Sequence, residues 1–502
     1  MNKSITVFFA LSALLLSTCS ATAQAANPAA PKTEAKTAPS PKGSGTVAKT
    51  WDKVPIPPLH QFKPQEPRRV ELGNGMIVFL QENHELPLIE GTVRIRGGSR
   101  EEPAEKTGLV SIYGDVWRTG GTKSKTGDEL DDFLEAHAAR VEASESSDST
   151  FLSWSSLKEN FDQVFPVVLD LLRNPEFRQD KLDLAKQQFA SLISRRNDDL
   201  DEIAQRESTK LAYGKDSPYA RSAEYSTLDA ITREDLLQWH KRTVAPANMI
   251  LGMAGDFDSA AMEQKLRLAF GSMPRSAPFA SAKITFPAPK PGIYFVEKND
   301  VNQSSIQMVD LGIDRRNPDF YALEVMNELF GGGFSSRLFT NIRTRQGLAY
   351  SVGGGVGTGF DHIGITRFAM GTKSGSTVAG IEALRGEMDK LINGAVKTDE
   401  LKKAKDAILN SFIFEFDSKE KVLSERMRYE FYGYPPDFLE RFRAGIEKVT
   451  PADVDRVARK YIHPEKMAVL VVGNAKDFDR ELATFGKVTT IDITIPQKSP
   501  GK

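Results

Sequence analysis

Two stretches of this chain match each other at one fixed offset. Thr232-Arg-Glu-Asp235 leads through an amphipathic stretch to Pro246 and then to Met249-Ile-Leu-Gly-Met-Ala-Gly255-Asp256. Thr450-Pro-Ala-Asp453 leads likewise to Pro464 and then to Met467-Ala-Val-Leu-Val-Val-Gly473-Asn474. Thr, Asp, Pro, Met and Gly coincide 218 residues apart without a gap, where chance over about 25 positions gives roughly one or two identities. Each copy reads as a capped helix, a Pro-containing turn, a buried strand and a Gly-Asp or Gly-Asn turn. The repeat predicts a duplicated domain, with units at 68–275 and 292–490. Residues 276–291, ending in Pro287-Ala-Pro-Lys-Pro291, form the joint, and 491–502 a tail. A length of 502 residues also exceeds what one core holds.

The N-terminus reads as an address rather than as fold. Lys3 precedes an apolar run from Ile5 to Leu16, and small residues follow to Ala25. That run is too short to cross about 30 Å of hydrocarbon and fits a secretory signal over 1–25, with A-x-A-like sites at Ala21–Ala23 and Ala23–Ala25. The chain is therefore expected to be exported, to a periplasm. Cys19, the single cysteine, is either removed with the signal or a lipid acceptor. Residues 26–67 carry nine of the 27 prolines and read as an extended tether. A net charge of −1, without a Lys/Arg block, gives no footprint for nucleic acid or an anionic membrane surface.

Within the first unit, Val70–Leu72 and Met76–Leu80 flank Asn74-Gly75, a hairpin signal. Thr92–Arg96 alternates as a half-buried strand. Helical patterns follow at about 107–118, 128–138, 158–173 and 179–213, and a second hairpin joins Arg140–Glu145 to Thr150–Ser155. This order predicts an α+β fold with helices packed on a sheet, not a strict βαβ alternation.

Leu72-Gly-Asn-Gly-Met-Ile-Val, Gly97-Gly98-Ser99-Arg100-Glu-Glu-Pro103, Thr107-Gly108-Leu109 and Gly121-Thr122 resemble the opening of the pitrilysin/insulinase (inverzincin) peptidase family. Gly331-Gly-Gly-Phe-Ser-Ser-Arg-Leu-Phe339 and Arg343-Thr-Arg-Gln-Gly347-Leu-Ala-Tyr350 are similar to that family's C-terminal-half signature. The resemblance runs from about residue 68 to 490. It implies two homologous sheet-and-helix domains forming a half-shell that faces a second half-shell.

Active members carry H-x-x-E-H on the helix after the third strand. Two imidazoles one turn apart hold zinc, and the glutamate takes a proton from its water. In this chain the motif falls on Ser111-Ile112-Tyr113-Gly114-Asp115. The third ligand, a glutamate in active members, falls 77 residues past Asp115, on Leu192. One lone carboxylate gives no useful zinc affinity, so this chain is expected to bind no metal. The six histidines (His60, His84, His137, His240, His362 and His463) lie more than five residues apart and read as surface or capping residues.

Arg343 and Tyr350 keep the family's Arg/Tyr spacing of seven. The resemblance implies that in two-chain members this pair comes from the non-catalytic subunit. The sequence places Arg343 near a helix end closed by Gly347, with Tyr350 opening a strand. Gly331–Gly333 reads as a helix end and turn. Arg140–Glu145 occupies the strand on which active members align peptides, and Glu142 and Glu145 there read as edge protection. The leading expectation is a zinc-less partner subunit of a zinc-bearing peptidase chain, lending Arg343 and Tyr350 to cleavage of unfolded peptides. The alternatives are a peptide-binding or scaffold protein of the same fold, and an enzyme with an unrecognised metal site.

Overall fold

A computed structural model describes residues 64–496. The export segment with Cys19, His60, the tether up to residue 63 and the end of the tail lie outside the described residues.

The first half builds a six-stranded sheet from β1 (Arg68–Glu71), β2 (Ile77–Glu82), β3 (Leu88–Arg96), β4 (Arg140–Glu145), β5 (Ser149–Leu157) and β6 (Met249–Gly255). Their spatial order is β1-β2-β6-β3-β5-β4. The second half adds β7 (Gly292–Glu297), β8 (Gln303–Leu311), β9 (Ile313–Asp314), β10 (Ser351–Gly355), β11 (Thr358–Gly359), β12 (Ile365–Lys373), β13 (Ala468–Gly473) and β14 (Val488–Thr490). Its large sheet runs β10-β12-β8-β13-β7-β14, and β9 pairs with β11. Read from opposite ends, the large sheets share one plan. The parallel pair β2/β6 repeats as β7/β13, and the antiparallel run β6-β3-β5-β4 repeats as β13-β8-β12-β10. β4 and β10 are thus equivalent edge strands.

The helices are α1 (Leu109–Thr119), α2 (Gly127–Ala136), α3 (Phe161–Arg173), α4 (Gln179–Arg195), α5 (Leu200–Tyr213), α6 (Tyr225–Asp229), α7 (Arg233–Thr243) and α8 (Ser259–Phe270) in the first half. The second contributes α9 (Phe320–Asn327), α10 (Thr377–Asn393), α11 (Thr398–Phe412), α12 (Lys419–Tyr432), α13 (Phe438–Lys448) and α14 (Pro451–Tyr461). The repeat that signalled duplication is visible atom by atom. Thr232 and Thr450 cap α7 and α14 through capping boxes with Asp235 and Asp453. A 3₁₀ turn at Pro246 or Pro464 then feeds the buried strand β6 or β13.

One expectation needs correction. The single helix read over 179–213 is two. Asp199 caps α5 by accepting from the Asp201 and Glu202 amides at 2.8 and 2.9 Å, which breaks the run. The break redirects the chain: α5 leaves its own half and packs on β8 and β13 of the other. α12, its counterpart, packs in return on β2 and β6.

The exchange follows from the strands. Every residue of β6 and β13 is buried. Alternate residues Met249, Leu251 and Met253 face the first half's own helices, while Ile250 and Ala254 meet Leu423, Met427 and Phe431 of α12. In the second sheet Val469 and Val471 face their own helices, while Leu470 and Val472 meet Ile203 and Ala204 of α5. Each large apolar side chain so buried contributes about 1.5–3 kcal/mol. At Gly252 a Cβ would stand 2.2 Å from the Met427 sulfur, so glycine makes room for the large helix residue. Its equivalent, Leu470, clusters with Ile203 and Ala204 of α5.

Both exchanged helices end in Tyr-Gly, and both tyrosines bond to the other half. The Tyr213 hydroxyl donates to the Ile363 carbonyl at 2.6 Å. The Tyr432 hydroxyl donates to Asp148 and accepts from Arg94 at 3.1 Å. Arg96 donates to the Phe431 carbonyl at 2.6 Å, placing a cation at the negative end of α12.

Residues 274–291, between the halves, form neither helix nor strand. A protease nick in this stretch is expected to leave both fragments associated, co-eluting in size-exclusion chromatography at the intact size. Separation without denaturant contradicts the exchange.

Candidate functional site

The helix that carries the metal motif in active relatives is α1. Its N-terminus is fixed by Glu102, whose carboxylate accepts from the Gly108 and Val110 amides, both at 3.0 Å. Ile112, Tyr113, Val116 and Trp117 bury one face. Arg118 donates to the Val141 carbonyl at 3.1 Å and ties α1 to edge strand β4.

Three of the four degenerate positions gather on the side of α1 near Glu145 of β4. A Cβ at Gly114 would sit 2.8 Å from Glu145 Oε2. Burial pushes the Asp115 carboxyl above the ordinary range. Glu145 keeps contact with water, yet the protein packed around it pushes its carboxyl up, with the Asp115 charge adding to this and a hydrogen bond from Ser111 opposing it. Glu145 therefore does more than guard an edge. Glu142, exposed and paired with Arg140 at 3.2 Å, is the residue that faces outward there. Leu192 lies on α4, which packs on α1, and is 51% exposed. A hydroxyl, an absent side chain, two carboxyls and an isobutyl group do not make a zinc site. Among the described residues no group of three or more His, Cys, Asp or Glu side chains is placed to hold a metal ion.

His240 departs from the surface-or-cap expectation. It is buried against α1, with Nδ1 2.9 Å from the Tyr113 hydroxyl and Nε2 3.0 Å from the Leu172 carbonyl. Burial pushes its pKa down to about 4, so it is a neutral core residue that donates through Nε2. Tyr113 packs at a tilt against Trp117 and Phe177 in the same cluster.

Arg343 and Tyr350 stand in the second half. Arg343 lies in a π-helical turn, Phe339–Arg345, with its guanidinium 4.6 Å from the Phe339 ring. Such turns are rare and often mark functional positions. Gly347 follows at φ +66°, a left-handed conformation that reverses the chain. Tyr350 then directly precedes β10, its amide donating to the Gly371 carbonyl at 2.9 Å. Its side chain is about half exposed, and Arg343 is exposed. Neither side chain makes a hydrogen bond or ion pair within the described residues. The sequence placed Arg343 on a helix end and Tyr350 at a strand opening; the wide π turn is the added detail. Gly331, in a second π turn at Glu328–Gly332, is a contact point: a Cβ there would meet the Gly354 carbonyl of β10 at 2.3 Å.

Residues 78–222 match the family described as "Insulinase (Peptidase family M16)", and residues 230–408 match "Peptidase M16 inactive domain". The chain belongs to the insulinase family of peptidases. A "Non-peptidase homolog YmxG" of Helicobacter pylori is 23% identical over 405 residues, covering 80% of this chain and 92% of that protein. An "Uncharacterized zinc protease YmxG" of Bacillus subtilis is also 23% identical, over 408 residues covering 80% and 98%. Among solved structures, a peptidase M16 inactive domain from Pseudomonas fluorescens superimposes with a TM-score of 0.74 at 21% identity, covering 82% of this chain and 98% of that one. A Helicobacter pylori protease gives 0.72 at 20%, covering 82% and 100%.

The two raised carboxyls give a signed pH prediction. Each binds its proton more readily in the folded chain than in the unfolded one. Stability from them is therefore greatest in acid and declines as pH rises from the ordinary carboxylate range through the raised values. Glu145→Gln is expected to raise Tm at about pH 7 and to change it little near pH 4, read by thermal unfolding. An unchanged or lower Tm at neutral pH contradicts the strain assigned to Glu145.

Proposed function

We propose that this chain is the zinc-less partner subunit of an exported, periplasmic peptidase of the insulinase family, acting on unfolded peptides. One contrast carries the reading. The face of α1 that bears the metal motif in active relatives carries Ser111, Gly114 and Asp115 beside Glu145 of β4, whereas Arg343 and Tyr350 are exposed without a hydrogen-bonding partner among the described residues. A zinc-bearing chain of the family would bring the metal. This chain would close the chamber and supply two polar groups. The Arg343 guanidinium is suited to hold a substrate carbonyl, and the Tyr350 hydroxyl to donate to the oxygen that gains charge as water adds. Export rests on the N-terminal segment. Among the described residues no helix is long and apolar enough to cross a membrane.

The scaffold alternative predicts the same partner without any chemical contribution. Arg343→Ala and Tyr350→Phe separate the two. In a reconstituted pair each is expected to lower the hydrolysis rate by more than about tenfold. Tm of the chain should stay unchanged, because both side chains are exposed. Full activity in both variants rejects the proposed role and leaves the scaffold.

A further inference from the structure

α5 covers β8 and β13 but leaves a cavity of about 620 Å³ beside it, on the same face of the second sheet. Gln205 and Thr209 of α5, Arg221, and Ser305 and Gln307 of β8 line it, and it reaches Ser351 at the start of β10, next to Tyr350. The volume lies within the roughly 300–1,000 Å³ of small-ligand pockets.

Gln307 and Arg221 carry the unpartnered polar atoms of this lining. Gln307 is 6% exposed, and its Oε1 has no hydrogen-bond partner among the described residues. The Nε of Arg221 is likewise buried and unpartnered. Nothing in the sheet plan requires this. Thr92 of β3 holds the equivalent place in the first sheet, flanked by Ser153 and Gly252 as Gln307 is by Ala369 and Leu470. Its hydroxyl is paired with that of Ser153 at 3.0 Å. A buried polar atom left without a partner is costly, so its retention points to a ligand that completes it.

The lining selects the ligand's chemistry. Asp201 and Glu202 offset Arg206 and Arg221. Arg206 is already engaged by Glu207 at 2.9 Å and by Asn197 at 2.7 Å. A charge-balanced cavity with one unused acceptor and one unused donor matches an amide.

We propose that this cavity is a subsite for an amide group of a bound peptide. The amide N–H donates to Gln307 Oε1, and the amide oxygen accepts from Arg221 Nε. The amide is either the carboxamide of a glutamine or asparagine side chain or a main-chain peptide unit. This inference rests on the reading that the chain handles unfolded peptide, but it is separable from the role of Arg343 and Tyr350.

The test uses the full chain alone, with a fluorescent unfolded peptide containing glutamines and the same peptide with each glutamine replaced by leucine. Affinity is read by anisotropy for wild type, Gln307→Met and Arg221→Lys. Both variants are expected to weaken binding of the glutamine peptide by about tenfold or more. Gln307→Met should also raise Tm, because it removes the unpaired acceptor, and that rise shows the variant is folded. Selective loss of the leucine peptide assigns the site to the side-chain carboxamide; equal sensitivity of both peptides to Gln307→Met assigns it to the main chain. Wild type binding neither peptide, or both variants binding as tightly as wild type, overturns the proposal. A chain that binds through Gln307 yet adds nothing to a partner's hydrolysis would refute the subunit role and leave this subsite standing.

Discussion

The reciprocal exchange of α5 and α12 is the contact on which the remaining structure depends. β6 and β13 are apolar along their whole length and must be covered on both faces. Each half's own helices cover one face, and the other is covered by a helix from the opposite half. Neither sheet could be left with that second face in water, so both halves belong to one compact unit. The Tyr213 and Tyr432 hydroxyls, the Arg96–Phe431 bond and the bidentate Arg69–Glu430 pair at 2.9 Å fix the angle at which the helices cross over.

Within that frame the two halves have drifted apart chemically. Gly252 leaves room for Met427, whereas the equivalent Leu470 brings its own side chain to a cluster with Ile203 and Ala204. Thr92 is satisfied where Gln307 is not. Edge strand β4 carries charge and packs against α1, whereas edge strand β10 is a glycine run with Tyr350 at its mouth. On the core side of α1, Tyr113, Trp117 and His240 form a packed cluster. That side contributes to the core whatever the opposite face does.

Much of this was legible in the amino-acid sequence. Capping boxes, the Asn-Gly hairpin, the two buried strands and the replaced motif at Ser111, Gly114 and Asp115 are local signals, and each appears where local chemistry puts it. The helix exchange was not legible, because a buried helix face looks the same whichever sheet it meets. The repeated Tyr-Gly at residues 213–214 and 432–433 was its one trace. Asp199 was equally readable as a cap, but the apolar periodicity on either side of it masked the break. His240 and Glu145 escaped for the reverse reason: their roles come from residues more than 60 and 25 positions away, Leu172 and Asp115, and no spacing rule connects them.

The first half keeps the family's motif helix but carries Ser111, Gly114, Asp115 and Leu192 where zinc-binding members have their ligands and base. Zinc content of the purified chain, measured by inductively coupled plasma mass spectrometry after exposure to excess zinc and desalting, tests most directly whether these positions hold metal. Far less than one zinc per chain is expected. Stoichiometric zinc, lost on replacing Asp115 and Glu145, would contradict that expectation.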